Sequence, residues 1–241
     1  MRLDKFLADM NLGSRKEVKA YIKKGLVRVN QQIIKQDKYQ VDEQNDQVYF
    51  DDELVVYQKY FYYLMNKPQG VISATIDDFE ETVLDLFSDE DYREDLFPIG
   101  RLDKDTEGLL VISNDGALAH RLLSPKKHVP KQYYVEVSGL LTKQDEQACL
   151  NQLKIDGGEI CLPAQLQILS TDEQTLTSSA LLTLHEGKFH QVKRMMQALG
   201  KEVAYLKRVR MGQLFLDEQL PLGAYRPLTA DELMLLQQTE D

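Results

Sequence analysis

Cysteine is scarce in this sequence. The 241 residues hold two, Cys149 and Cys161, at a spacing that suits neither a metal knuckle nor a disulfide framework. Histidine is also sparse. His185 and His190 lie five apart, which puts them on no common helical face for zinc. No apolar run is long enough to span a membrane, and Met1-Arg2-Leu3-Asp4 does not open a signal peptide, so a reducing cytoplasm is the expected compartment. There are no low-complexity tracts or internal repeats. Positive charge is in deficit, with 29 Lys and Arg against 39 Asp and Glu and a net charge of −10. Taken over the whole chain, that balance argues against nucleic acid.

The deficit is uneven. Residues 1–38 carry ten of the basic residues and four of the acidic ones, a net of +6, which leaves 19 basic and 35 acidic residues and a net of −16 in the remainder. A basic head on an acidic body predicts a polyanionic partner for the head. The length admits one large domain, or a small one followed by a medium one.

In the head, Leu3, Phe6, Leu7 and Met10 recur at helical spacing. Ser14 with Glu17 forms a capping box before a second helix, which places Val18, Tyr21 and Ile22 on one face and Arg15, Lys16, Lys19 and Lys23 away from it. Gly25 ends that helix, and strands follow from Leu26 to Phe50. Residues 51–60 read as a linker. Phe61–Met65 reads as a buried strand entering the turn Asn66-Lys67-Pro68-Gln69-Gly70. Thr82–Phe87 reads as a short helix, and the acidic run Ser88–Asp95 as a solvated loop.

The chain is organised around FPIGRLDKDTEGLLVIS, residues 97–113. There Arg101, Asp103, Lys104, Asp105 and Glu107 crowd a turn before the apolar strand Leu109–Ile112. A charged surface turn is one reading. A calcium loop is another, since Asp103, Asp105, Glu107 and Gly108 fit the first half of that motif, but its twelfth position is Asn114 and its second half is strand-like. A catalytic carboxylate at the mouth of a buried strand is the third. Further on, Lys131–Val137 alternates as a strand, so Tyr133 and Tyr134 face opposite ways. Lys143–Leu153 reads as a helix capped by Thr142. Val192, Met195, Met196 and Leu199 share a helical face that begins beside Lys193 and Arg194. Cations near a helix N-terminus are mildly unfavourable and call for an anionic partner.

Five stretches carry a family resemblance. RLDKFLADMNLGSRKEVKAYIKKGLVRVNQQII, in residues 1–50, resembles the S4 RNA-binding domain. GRLDKDTEGLL resembles the signature loop of pseudouridine synthases of the RsuA/RluA superfamily, and N-K-P-x-G resembles the opening of the same catalytic domain. K-x-Y at Lys131-Gln132-Tyr133 and EGKFHQVKRM at residues 186–195 resemble the superfamily's second and third motifs. The resemblance implies an α+β protein with two parts: a small N-terminal S4 domain of αL type over residues 1–57, and a catalytic domain over 58–241 with a mixed, largely antiparallel sheet. It implies Asp103 as the catalytic carboxylate, Tyr133 as the ring that packs on the target base, and Lys193 as the cation paired with Asp103. It further implies RNA contacts from Arg15, Lys16, Lys19, Lys23, Arg101, Lys188, His190 and Arg194, and a role for Lys67 that is structural. The reaction implied is conversion of uridine to pseudouridine in ribosomal RNA, with no metal and no nucleotide cofactor.

The HQVKRM form is more like the small-subunit branch, which points to 16S RNA, uridine 516, in a small-subunit assembly intermediate. A synthase acting on 23S or transfer RNA, and a non-catalytic protein using the S4 head alone, are the competing expectations. The second would not need Asp103, Tyr133 and Lys193 together.

Overall fold

The computed structural model describes residues 1–238. They form two compact units: residues 1–60 with 89–93, and residues 61–88 with those from Glu94 onward.

The first unit opens with helices α1 (Leu3–Asp9) and α2 (Arg15–Lys24), followed by strands β1 (Val27–Val29), β2 (Gln32–Ile33), β3 (Val48–Phe50) and β4 (Glu53–Val55). The strands make an antiparallel sheet in the order β2-β1-β3-β4. Ser14 accepts the Glu17 amide while Glu17 caps the Ser14 amide, and Gly25, at φ 80°, closes α2 in the left-handed region. Leu3, Phe6, Leu7, Val18, Ile22 and Val48 close the core. Arg15, Lys16 and Lys23 are exposed, as their helical phase requires.

Two expectations change here. Residues 51–60 are not a plain linker, because β4 pairs with β3 and Tyr57 packs its ring 5.3 Å from Phe6. Nor is the whole acidic run a free loop. Residues 89–93 belong to this unit, where the Asn11 side chain donates to the carbonyls of Tyr92 (3.2 Å) and Glu90 (3.4 Å).

The second unit contains β5 (Tyr62–Lys67), β6 (Phe97–Ile99), β7 (Glu107–Ser113), α3 (Gly116–Leu123), β8 (Lys131–Ser138) and α4 (Lys143–Leu150). It continues with β9 (Gln165–Asp172), β10 (Thr177–Leu184), α5 (Gln191–Ala198), β11 (Glu202–Met211), β12 (Leu214–Phe215), β13 (Tyr225–Pro227) and α6 (Ala230–Gln237). One sheet runs β13-β5-β7-β11-β8-β10-β9, with β6 on β7 and β12 on β11. Of its ladders, β7 with β11 is parallel and the others are antiparallel, so the sheet is mixed and largely antiparallel, as expected.

Strand β7 is buried at all seven residues. Leu109 and Val111 enter the cluster under α3, while Leu110 and Ile112 enter the opposite one with Tyr63 and Met65. The parallel join is tight. A Cβ on Gly108 would lie 2.3 Å from the Arg208 carbonyl, and Gly108 has φ 103°, so glycine alone fits.

The helix expected over Thr82–Phe87 does not form. Val83, Leu84 and Phe87 are buried, but the segment is a run of turns held by Asp85, which accepts from the Thr82 amide and hydroxyl. Six residues give too few hydrogen bonds to repay helix nucleation. Asn66 and Lys67 likewise end strand β5, and the turn starts only at Pro68.

Candidate active site

The loop from Gly100 to Thr106 joins β6 to β7, and its backbone is bound from below. Lys67 is fully buried, and its ammonium donates to the carbonyls of Pro68 (2.9 Å), Thr106 (3.0 Å), Asp103 (3.1 Å) and Lys104 (3.4 Å). Burial lowers its pKa to about 8 in spite of the charges of Asp105, Asp103 and Glu107. Ser73 both donates to the Leu102 carbonyl and accepts its amide. The Gly70 amide donates to the Lys104 carbonyl. These bonds fix the main chain on both sides of Asp103 and leave its carboxylate half-buried at a cleft of about 670 Å³. That volume lies within the range of small-ligand pockets.

Helix α5 supplies the opposing cation. Lys193 Nζ lies 3.3 Å from Asp103 Oδ2, and closer to Asp105, at 2.6 and 2.9 Å. The expected Asp103–Lys193 contact is present, but Asp105 holds the ammonium more tightly. Burial pulls the Lys193 pKa down. The hydrogen bond to Asp105 and the charges of Asp103 and Asp105 outweigh that and raise it. The same hydrogen bond holds the Asp105 carboxyl below its ordinary range. His190, the N-cap of α5, brings Nε2 to 3.5 Å from Asp103 Oδ1 and stacks on Phe189 with ring centroids 3.7 Å apart.

Tyr133 lines the cleft from β8 and packs against core clusters on either side. Tyr134 is on the other face, where its hydroxyl donates to Glu136 (2.8 Å) and its ring lies 6.1 Å from that of Tyr205. Arg101 and Lys188 also line the cleft, Arg101 exposed and Lys188 paired with Glu186 (3.4 Å) and Glu159 (3.6 Å).

Arg194, expected to contact RNA, is engaged within the chain. Its guanidinium is taken up by Asp156 and by Glu159 (2.7 Å), with further bonds to the Asp156 and Phe189 carbonyls. Its charge is satisfied inside the chain because the turn at 156–158 reaches α5. In the first unit, Lys19 is drawn 3.8 and 3.9 Å from Asp4 and Asp37, while Arg15, Lys16 and Lys23 stay exposed.

Gln191 was not singled out in the sequence, although it stands in the third motif. It is buried, accepts the Lys188 amide and donates to Glu186, so it orders the loop that carries His190. Among the described residues no group of three or more His, Cys, Asp and Glu side chains could hold a metal ion, and no helix is long and apolar enough to cross a membrane.

A carboxylate held rigidly beside an ammonium and an imidazole, facing an aromatic wall, can attack or deprotonate a small planar substrate. Known proteins narrow that chemistry. The family model for RNA pseudouridylate synthase matches residues 61–198, and the S4 domain model matches residues 1–48. An uncharacterised RNA pseudouridine synthase of Bacillus subtilis, YtzG, is 48% identical over the whole of both chains. The ribosomal small subunit pseudouridine synthase A of Haemophilus influenzae is 39% identical, covering 97% of this chain and 98% of its own. A crystal structure of a pseudouridylate synthase superposes with a TM-score of 0.68 at 36% identity, covering 98% of this chain and 99% of that one. The chain belongs to the RNA pseudouridylate synthase family, as an enzyme with an N-terminal S4 domain.

Proposed function

We propose that this enzyme isomerises uridine in 16S ribosomal RNA, at uridine 516, in the cytoplasm and on a small-subunit assembly intermediate. The small-subunit target is supported by the Haemophilus relative's name and by the HQVKRM form of the third motif. In this reading residues 1–57 are an RNA-binding head, and 58–241 carry the chemistry.

The observation that carries the mechanism is the placing of Asp103 between Lys193 and His190 at the edge of a cleft walled by Tyr133. A stacked nucleotide hides its glycosidic bond, so the target must leave the helix, and Tyr133 receives the uracil face. Asp103 acts on the nucleoside as nucleophile or base, and Lys193 with Asp105 holds it in position. The N1–C1′ bond breaks, the uracil turns, and C5 bonds to C1′ while the C5 hydrogen leaves as a proton and N1 takes one up. Nothing is oxidised or reduced. Arg101, Lys188 and His190 contact the RNA around the flipped nucleotide; Arg15, Lys16, Lys19 and Lys23 meet phosphates.

The test is to map pseudouridine in ribosomal RNA from a strain lacking this protein. Loss confined to uridine 516 is expected. Loss in 23S or transfer RNA, with 16S intact, moves the target to another RNA.

A further inference from the structure

Beside Tyr133 the cleft wall carries two cations that the Asp103 cluster does not use. Lys131 and Tyr133 stand two apart on β8 and so share a face, and Arg208 of β11 pairs with Tyr133 across the ladder. All three line the cleft. Arg208 is only 2% exposed. Its Nε donates to the Leu109 carbonyl at 2.8 Å, while its Nη2 is buried with no hydrogen-bond partner. Lys131 donates to the Val129 carbonyl at 3.0 Å. Among the described residues neither makes an ion pair with any carboxylate. Burial and the Arg208 charge lower the Lys131 pKa to about 8. A buried guanidinium and a half-buried ammonium without a counter-charge are costly, and a guanidinium N–H left unbonded adds to that cost. A negative charge arriving in the cleft relieves both.

We propose that Arg208 and Lys131 are further catalytic residues, which take up the negative charge that develops on the uracil oxygens as the base is detached and turned. This rests on the uridine-isomerising reading of the same site. When the N1–C1′ bond breaks, its electron pair stays on the uracil and spreads over N1, O2 and O4. When C5 bonds to C1′, that pair is returned to form the new bond, the C5 hydrogen leaves as a proton to solvent, and N1 takes up a proton, so the detached charge is neutralised. Attack at ribose C1′, attack at uracil C6 and passage through a glycal all place charge on the uracil carbonyls, so cations here serve every route. Preorganised charge of this kind acts in the transition state, where it is worth far more than in water. A backbone phosphate fits less well. It is charged throughout and is met by exposed cations such as Arg101, whereas a nearly buried guanidinium suits a charge that appears only during reaction.

The experiment uses the full chain, ribosomal RNA transcripts tritiated at uridine C5, and matched transcripts carrying 5-fluorouridine, whose uracil anion is the more stable. Lys131→Met and Arg208→Met are compared with wild type in single turnover at saturating RNA. Release of tritium is expected to slow about 100-fold with the RNA Kd and its salt slope unchanged. On 5-fluorouridine, followed by chromatographic loss of the nucleoside, the deficit is expected to shrink about tenfold. An equal deficit on both substrates overturns the proposal. So does a weaker Kd with a flatter salt slope and an unchanged rate, which marks a phosphate site. If Arg208→Met does not fold, Lys131→Met decides alone, since that side chain gives up a single carbonyl bond. A wild-type enzyme that releases no tritium from any ribosomal RNA sinks the ribosomal-RNA reading as well, whereas an active wild type with an equally active Lys131→Met sinks this proposal only.

Discussion

Lys193 is bound by both carboxylate oxygens of Asp105, at 2.6 and 2.9 Å. The ammonium is therefore shared, and its reach to Asp103 depends on where Asp105 holds it. A cation placed in this way contributes through position as well as charge. Lys193→Met is expected to lower turnover about 100-fold, and Lys193→Arg to keep part of it, since guanidinium restores the charge with a different reach. Asp105→Asn is expected to cost less than tenfold, because Lys193 can then close on Asp103. The check is single-turnover tritium release by each variant and by the double variant. A Met variant with wild-type turnover removes Lys193 from the mechanism.

The head is expected to govern affinity and leave the chemistry alone. Lys16 and Lys23 are exposed on α2, with Lys19 between them loosely drawn to Asp4 and Asp37. Changing Lys16, Lys19 and Lys23 to Glu removes about three phosphate contacts. The slope of log K against log salt should then flatten by about 2 to 3. Titrations across a salt series measure this, and an unchanged slope places the RNA elsewhere.

What the sequence made legible divides along physical lines. Strand β7, the alternation of Tyr133 and Tyr134, the capping box at Ser14 and the helix cap at Thr142 all follow local periodicity or local chemistry, and all are present. The motifs brought Asp103, Tyr133 and Lys193 to one cleft. Asp105 as the closer partner of Lys193 was not legible. The two are 88 residues apart, and the loop that aims Asp105 has no period of its own. Thr82–Phe87 misled because Val83, Leu84 and Phe87 sit at helical spacing, yet the segment is pinned in turns by Asp85 and Phe87 is stacked 4.0 Å from Tyr225. Arg194 called for an anionic partner, but which one was not legible, because the carboxylates of Asp156 and Glu159 lie 38 and 35 residues away and reach it only in the fold.

Lys67 is the anchor of the Asp103 loop, and its removal should show in stability. Lys67→Met leaves four carbonyls without their shared donor, against the relief of no longer burying a charge. Unsatisfied buried acceptors dominate that balance, so a loss of about 3 kcal/mol is expected. For a chain of this size that lowers Tm by about 6 to 12 °C. Calorimetry of the variant checks it, and an unchanged Tm means the loop is held by its other bonds.

Acid should loosen the second unit through Glu232. The Arg226 fork meets both its oxygens at 2.7 and 2.8 Å and, with the Thr229 amide, lowers its pKa from 4.5 to about 2. A depressed carboxyl stabilises the fold fully above its unfolded pKa and loses that contribution as pH falls through the folded one. The window is therefore pH 4.5 down to about 2. Glu232→Gln should be less stable than wild type at neutral pH and should show a shallower fall of Tm across that window. Parallel melting curves for the two proteins would refute this.

Asp103 carries the central assignment, and the chemistry supplies a clean assay. Pseudouridine has the mass of uridine, so mass reports nothing, but the new bond forms at C5 and the hydrogen there must leave. RNA tritiated at uridine C5 should release one label per modified site. Asp103→Asn is expected to reduce release by about a thousandfold or more, since an amide is neither a useful nucleophile nor a base. RNA binding should persist, because the loop backbone is held by Lys67 and Ser73 and not by the carboxylate. Adding Lys193→Met to Asp103→Asn should cost little further, as residues acting in one unit are not additive. Normal release by Asp103→Asn, or a dead Asp105→Asn beside an active Asp103→Asn, would transfer the chemistry to the neighbouring carboxylate and recast Lys193 as its partner.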